Sequence, residues 1–308
     1  MKKHLIIFNP MAGKGRARGL QPQLEQMLLG HQLDYDLVQT EYAGHAITLA
    51  RKGAQAGYGV VAAGGGDGTV NEVINGLMQA RTAGEGNPRM GVLGLGRGND
   101  FASGMDIPAS LEEACAVLAK GAARAIDIGW VKGENFPNGR YFGNGIGLGF
   151  DAVVGFEAAK MPYMNGLSYV VAALKIILFY YNTPKLEIKI DDQVLRQQTL
   201  MFSIMNGRRL GGAFTTGPHS VVDDGLFDLM HYGRMSRRQM IALMPKVMEG
   251  TQEGHPAVRF LRGKKLTIRA LEGTIPAHAD GETICEAGHY MEIELLPRQI
   301  ELICKGAA

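Results

Sequence analysis

Apolar residues in the first third of the chain come in short unbroken runs, separated by stretches with a helical period. HLIIF (4–8) is followed by RGLQPQLEQMLLG (18–30), in which Leu20, Leu24, Met27 and Leu28 fall on one face. DYDLVQT (34–40) reads as a second strand, and a helix follows from about His45 to Ala56. GVVAA (59–63), TVNEVINGLMQA (69–80), MGVLGL (90–95) and SLEEACAVLAKG (110–121) continue the alternation. Uniformly apolar strands between helical segments predict right-handed βαβ units on a buried parallel sheet.

After about Asp127 the rhythm changes. RYFGNGIGLG (140–149), KLEIKI (185–190), TLMFSIMN (199–206), LFDLMHY (226–232), KKLTIRA (264–270) and YMEIELL (290–296) follow with fewer helices between them. This predicts a mainly antiparallel β domain, with SRRQMIALMPKVMEG (236–250) as an inserted helix. The expected fold class is therefore an α/β domain with a parallel sheet plus a second, β-sandwich-like domain, divided near residue 128. LSYVVAALKIILFYY (167–181) contains Lys175 and falls short of the roughly 20 residues a membrane span needs. It is expected to be a core helix, the alternative being a helix lying against lipid.

Charge adds little to this picture. A formal charge of +2 supplies no basic stripe, so no nucleic-acid partner is expected. Cys115, Cys285 and Cys304 are too scattered for a metal cluster and too few for a disulfide framework. With no signal-like start, a reducing cytoplasm is the expected location. Glycine does change the picture: there are 43 in 308 residues, gathered in clusters after apolar runs.

Three such clusters follow predicted strands: NPMAGKG (9–15), GGGDGTVNE (64–72) and GRGNDFA (96–102). Parallel sheets bind ligands beyond the carboxyl ends of their strands, and bare backbone can turn N–H groups toward phosphate oxygens. A helix beginning where the loop ends adds the positive end of its dipole. A polyphosphate is the guest this chemistry suits. Neither a Walker loop nor G-x-G-x-x-G occurs. Asp67 would repel phosphate unless a cation stood between them, which points to Mg²⁺ held against a nucleotide.

GGGDGTVNEV (64–73), NPMAGKG, GRGNDFA and HADGE (278–282) together resemble the diacylglycerol-kinase-like lipid kinases of bacteria, relatives of the diacylglycerol and sphingosine kinase catalytic domains. GGDGT alone is shared, sometimes as a near variant, with NAD kinases and phosphofructokinases. The continuation NEV, the NDFA block and the late DGE favour the lipid kinases, and the likeness spans essentially the whole chain.

The resemblance implies an ATP-binding α/β domain over 1–128 with 298–308, the last strand returning to it, and a lipid-substrate domain over 129–297. It implies that Asn9, Pro10, Met11, Ala12 and Gly13 lie near the nucleotide, as does Thr40. Gly66, Asp67, Gly68, Thr69, Val70, Asn71 and Glu72 would wrap the phosphates, while Asn99 and Asp100 would shape a cleft. Glu282 would take the proton of the lipid hydroxyl, with Asp280 a second candidate for base or magnesium contact. A structural Mg²⁺ is implied at VVDDGLFD (221–228), held by Asp224 and the carbonyls of Val221 and Leu226. Arg97 departs from the family's usual threonine; it would pair with a phosphate or fill the pocket. The resemblance further implies a cytoplasmic enzyme in transient contact with its lipid at the membrane surface, and it leaves room for a homodimer. An NAD-kinase-like phosphotransferase and a non-catalytic nucleotide- or lipid-binding regulator are the rival readings.

Overall fold

A computed structural model describes residues 3–161, 167–179 and 181–306. Residues 1, 2, 307 and 308, at the ends of the expected domain, and residue 180 of the expected helix over 167–181 lie outside the described residues. The chain forms two compact units: Met1–Ile128 with Pro297–Ala308, and Gly129–Leu296.

In the first unit β1 (His4–Phe8), α1 (Arg16–Gly30), β2 (Tyr35–Gln39), α2 (His45–Gln55), β3 (Val60–Gly65), α3 (Asp67–Thr82), β4 (Arg89–Gly94), α4 (Asp100–Gly104) and α5 (Leu111–Lys120) succeed one another. β1 pairs in parallel with both β2 and β3, and β3 pairs in parallel with β4. The spatial order is thus β2-β1-β3-β4. β1 and β3 are buried along their whole length, as a strand covered on both faces must be. The chain leaves β1 toward one side and returns to its other side for β3. The β1/β3 boundary is therefore the topological switch point, where α/β sheets open a crevice.

The second unit contains β5 (Ala123–Gly133, from Gly129 on), β6 (Phe136–Phe142), β7 (Gly145–Gly149), α6 (Phe150–Ala159), α7 (Leu167–Phe179), β8 (Lys185–Ile190), β9 (Gln193–Met205) and β10 (Phe227–Gly233). It continues with α8 (Arg237–Glu249), β11 (Val258–Gly263), β12 (Lys265–Glu272), β13 (Ile275–Ala279), β14 (Glu282–Gly288) and β15 (Tyr290–Ile303, to Leu296). Its pairings are antiparallel: β8 with β9 and β12, β12 with β15, and β9 with β7 and β10. β9 serves both sheets, pairing β8 through its first half and β7 and β10 through its second. Alternation does what it should here: Leu186, Ile188 and Ile190 join Leu266, Ile268, Met291 and Ile293 in one core, with charged residues between them facing out.

β15 runs on past Leu296 into the first unit, where Leu302 pairs in parallel with Met90 of β4. Arg298 adopts a left-handed φ of 51°, and its N–H donates to Oδ1 of the buried Asp127 at 2.8 Å.

Several expectations change. RYFGNGIGLG is two strands, broken at Gly143–Asn144. The helix α6 follows directly; FDAVVGFEAA has too few polar residues to show a helical period. Ser236 and Gln239 form a capping box at the start of the inserted helix α8, which ends at a left-handed Gly250. α7 is only half a core helix: Ala172, Ala173, Ile176 and Ile177 are buried, whereas Leu178 is 57% and Phe179 81% exposed. Among the described residues no helix is long and apolar enough to cross a membrane.

His231 on β10 is 2% exposed, and its Nε2 lies 3.0 Å from the Thr199 hydroxyl. Burial, aided by Arg259, brings its pKa down to about 4. The unfolded chain therefore takes up this proton below the ordinary value of about 6.5 while the folded protein refuses it until about pH 4. Stability is complete above the ordinary value and falls by on the order of 3 kcal/mol as pH drops across that window. Urea unfolding at neutral and acidic pH should record this loss, and His231→Gln, which keeps a polar partner for Thr199, should shrink the difference.

Candidate active site

The three glycine-rich loops and Thr40 all follow adjacent parallel strands of the first unit. Asn9 holds the first two loops together. Its N–H donates to the Gly64 carbonyl at 2.8 Å, its Nδ2 to the Thr69 hydroxyl at 2.9 Å, and its Oδ1 accepts from Met11 N–H at 2.9 Å. Pro10 and Ala12 are buried, Met11 is exposed, and Gly13 turns with φ 61°. Thr40 N–H donates to the Phe8 carbonyl, which brings the end of β2 beside the end of β1.

The second and third loops touch through bare backbone. A Cβ on Gly96 would sit 2.5 Å from Cα of Gly66, so Gly96 has no room for a side chain, while one on Gly66 would press on Gly96 Cα at 3.1 Å. The Leu95 N–H donates to the Gly65 carbonyl, and Asn99, at φ 51°, accepts from Gly96 N–H through Oδ1. Asp67 is the first residue of α3 rather than a loop residue. Its Oδ1 accepts from Phe101 N–H at 3.1 Å, tying the third loop to the helix. A Cβ on Gly98 would meet Asp67 Oδ2 at 3.2 Å and Asp100 Oδ2 at 3.9 Å, so the two carboxylates converge on that bare position. Arg97 beside it is exposed.

Gly66 precedes α3 with no side chain to cap it. The first-turn N–H groups of Asp67, Gly68 and Thr69 thus have no acceptor within the helix and sit at the positive end of its dipole, against the switch point. The second turn does something else. Val70 and Asn71 are buried, and Glu72 accepts from Gly44 N–H at 2.8 Å and Ala46 N–H at 3.0 Å. Glu72 is the cap that α2 otherwise lacks, a role set by a contact between distant segments.

The second unit holds the remaining candidates. Asp280 and Gly281 have φ of 48° and 85° and form a two-residue turn closing the β13–β14 hairpin, with Ala279 opposite Glu282. Asp280 thus belongs to the turn and Glu282 to the start of β14, so the two candidates do not share one face of a strand. Asp280 accepts from three backbone N–H groups, Gly143 at 2.7 Å and Asn144 and Gly145 at 3.0 Å. Its carboxylate pins the β6–β7 break and is poorly placed to serve as a base. Glu282 is 39% exposed, with Arg140 3.8 Å away.

Close by in the same unit, Asp151 of α6 lies 3.6 Å from His278 Nε2. Asp151, Thr216 and the buried Tyr232 are the polar members of a mainly apolar cavity, lined among others by Val154, Ala173, Ile177, Met240 and Leu243. Burial, then the Asp151 charge, raises the Tyr232 pKa, so its hydroxyl stays protonated and can donate. Sequence reasoning missed Asp151 and Tyr232; the acid directly after GLGF was the available signal. Burial also pushes the Cys115 and Cys285 thiols up to about 11, which keeps them inert.

Val221, Asp224 and Leu226 lie on the loop entering β10. Asp224 Oδ1 accepts from Leu226 N–H at 3.1 Å, and its Oδ2 is paired with Arg262. Among the described residues no group of three or more His, Cys, Asp or Glu is placed to hold a metal.

Comparison with known proteins gives this arrangement its class. Residues 3–131 match the diacylglycerol kinase catalytic domain, and 144–304 match the YegS C-terminal NAD kinase beta sandwich-like domain. The chain belongs to the diacylglycerol-kinase-like lipid kinase family. It is 28% identical over 284 residues to a diacylglycerol kinase of Bacillus subtilis (strain 168), covering 92% of this chain and 90% of that protein. It is 30% identical over 256 residues to a Chromohalobacter salexigens protein named "Probable lipid kinase YegS-like", covering 82% and 78%. Its fold resembles the crystal structure of a diacylglycerol kinase from Bacillus anthracis str. Sterne, with a TM-score of 0.75, 22% identity, and 99% and 98% of the two chains covered. An NAD kinase from Archaeoglobus fulgidus in complex with ATP is a more distant fold relative, with a TM-score of 0.53, 13% identity, and 99% and 94% covered.

Proposed function

We propose that this protein transfers the γ-phosphate of ATP to the hydroxyl of a lipid, diacylglycerol or a close relative. The observation that carries the reading is the meeting of three bare loops and an uncapped α3 N-terminus at the β1/β3 switch point. That arrangement suits a polyphosphate, and the apolar cavity of the second unit suits an acyl chain.

In this reading backbone N–H groups of Asp67, Gly68 and Thr69 grip the phosphates, and Asn9 holds the loops in register. Arg97 pairs with a phosphate oxygen where the family's threonine would donate a hydroxyl. Asp67 and Asp100 offer hard oxygen donors beside the phosphate cradle, which fits Mg²⁺. When bound, that ion would neutralise charge on the phosphates. Glu282 accepts the proton of the lipid hydroxyl as its oxygen bonds to the γ-phosphorus and the bond to ADP breaks. A carboxylate is a weak base toward an alcohol, so most of the rate comes from positioning and charge neutralisation. Asp151 and the Tyr232 hydroxyl orient the polar end of the lipid. The exposed apolar side chains of α7 (Val171, Leu174, Leu178 and Phe179) contact the bilayer, while Ala173 and Ile177 on its other face line the cavity.

The shared fold with NAD kinases keeps a dinucleotide acceptor as the second reading, though a cavity lined by methionine and leucine suits an acyl chain better. Transfer of labelled phosphate from ATP, with Mg²⁺, to a panel of lipids in detergent and to NAD decides between them. Labelled lipid is expected. Labelled NAD alone would transfer the assignment to the second reading, and no product from any acceptor would remove the kinase activity altogether.

A further inference from the structure

The loop over 221–226, where the family resemblance implies a structural Mg²⁺, carries chemistry that fits the ion poorly. Arg262 of β11 stands directly opposite Asp228 of β10, and its Nε lies 3.2 Å from Asp228 Oδ1. Its Nη2 pairs with Asp224 Oδ2, while Asp224 Oδ1 is engaged by Leu226 N–H. One planar guanidinium thus bridges the carboxylates on either side of the turn at Gly225. Mg²⁺ demands near-octahedral oxygen donors at close range and dehydrates reluctantly. At Asp224 it would share its single carboxylate with a cation that cannot lose its proton. The guanidinium is also well shaped for this place, because its forked donors reach two acceptors in fixed geometry and the β10–β11 ladder holds it in register.

We propose that Arg262 is a built-in replacement for the divalent cation, fastening the 221–226 loop to the β10–β11 ladder so that the second unit needs no metal to fold. This rests on the family relationship and not on the kinase reading. The fastening matters for the cavity as well, because the same loop leads into β10, which contributes Tyr232.

Thermal melting of the full chain without nucleotide or lipid tests the idea apart from any activity. The wild type should melt at the same temperature in EDTA and in Mg²⁺. Arg262→Gln should melt about 2–4 °C lower in EDTA. Mg²⁺ should restore much of that loss, because the freed carboxylates would now accept the ion. Arg262→Lys, which keeps the charge, should remain indifferent to Mg²⁺ even if the glutamine variant fails to fold. A wild type that loses stability in EDTA would overturn the proposal. So would a glutamine variant that melts like the wild type, or one that is weakened yet ignores Mg²⁺. None of these outcomes depends on which acceptor, lipid or NAD, is phosphorylated.

Discussion

Asp67→Ala is expected to abolish lipid-dependent ATP turnover, lowering it by about 10²–10³-fold or more. Two losses are combined in that variant. The carboxylate that would face Mg²⁺ disappears, and so does the acceptor for Phe101 N–H that anchors the third loop. Asp67→Asn separates them, since its amide oxygen can still accept from Phe101 while the charge is gone. Both variants should lose turnover, and only the alanine variant should also lose thermal stability. An asparagine variant with wild-type turnover would reduce Asp67 to a loop tether and remove the metal-holding role.

Glu282→Ala should lower kcat by about 10²–10⁴-fold while leaving the Kd for ATP nearly unchanged. Its carboxylate belongs to the Gly129–Leu296 unit, whereas the phosphate-type loops all belong to the other. Steady-state kinetics with a soluble short-chain lipid, alongside ATP titration by calorimetry, measures both quantities. Equal loss of ATP affinity would move Glu282 from the base to the nucleotide. Asp280→Asn provides the contrast. Its carboxylate serves three backbone N–H groups, so the variant should chiefly lose stability, with kcat falling only as far as the β6–β7 break loosens.

The parts of this protein that were legible in the sequence are those written in local pattern. Continuous apolar runs such as HLIIF and VVAA announced buried parallel strands, and the alternation in KLEIKI announced a half-buried antiparallel one. Glycine clusters after those runs located the loops, because bare backbone after a strand is a local signal. Contacts between distant segments were hidden. Nothing within GGGDGTVNE says that Glu72 caps α2, since its partners Gly44 and Ala46 lie on a different element. The Asp280 staple joins residues more than a hundred positions apart, and the bridge from Arg262 to Asp224 and Asp228 exists only once β10 and β11 pair. α6 escaped because a helix apolar on nearly every side has no period to read. The outer face of α7 was misjudged for a related reason: apolar side chains imply burial only when something covers them.

The return of β15 also bears on how the protein is made. Leu302 pairs with Met90, and Cys304 and Lys305 bond back to Ala122 and Asp106, so the sheet beneath the phosphate-type loops gains its last strand from residues that follow the whole second unit. During synthesis, Gly129–Leu296 emerges complete and can condense first, while the segment begun at residue 3 waits for a partner not yet translated. The half of the protein read out earliest is thus the half finished last, its sheet closing only after the whole of the second unit has been made.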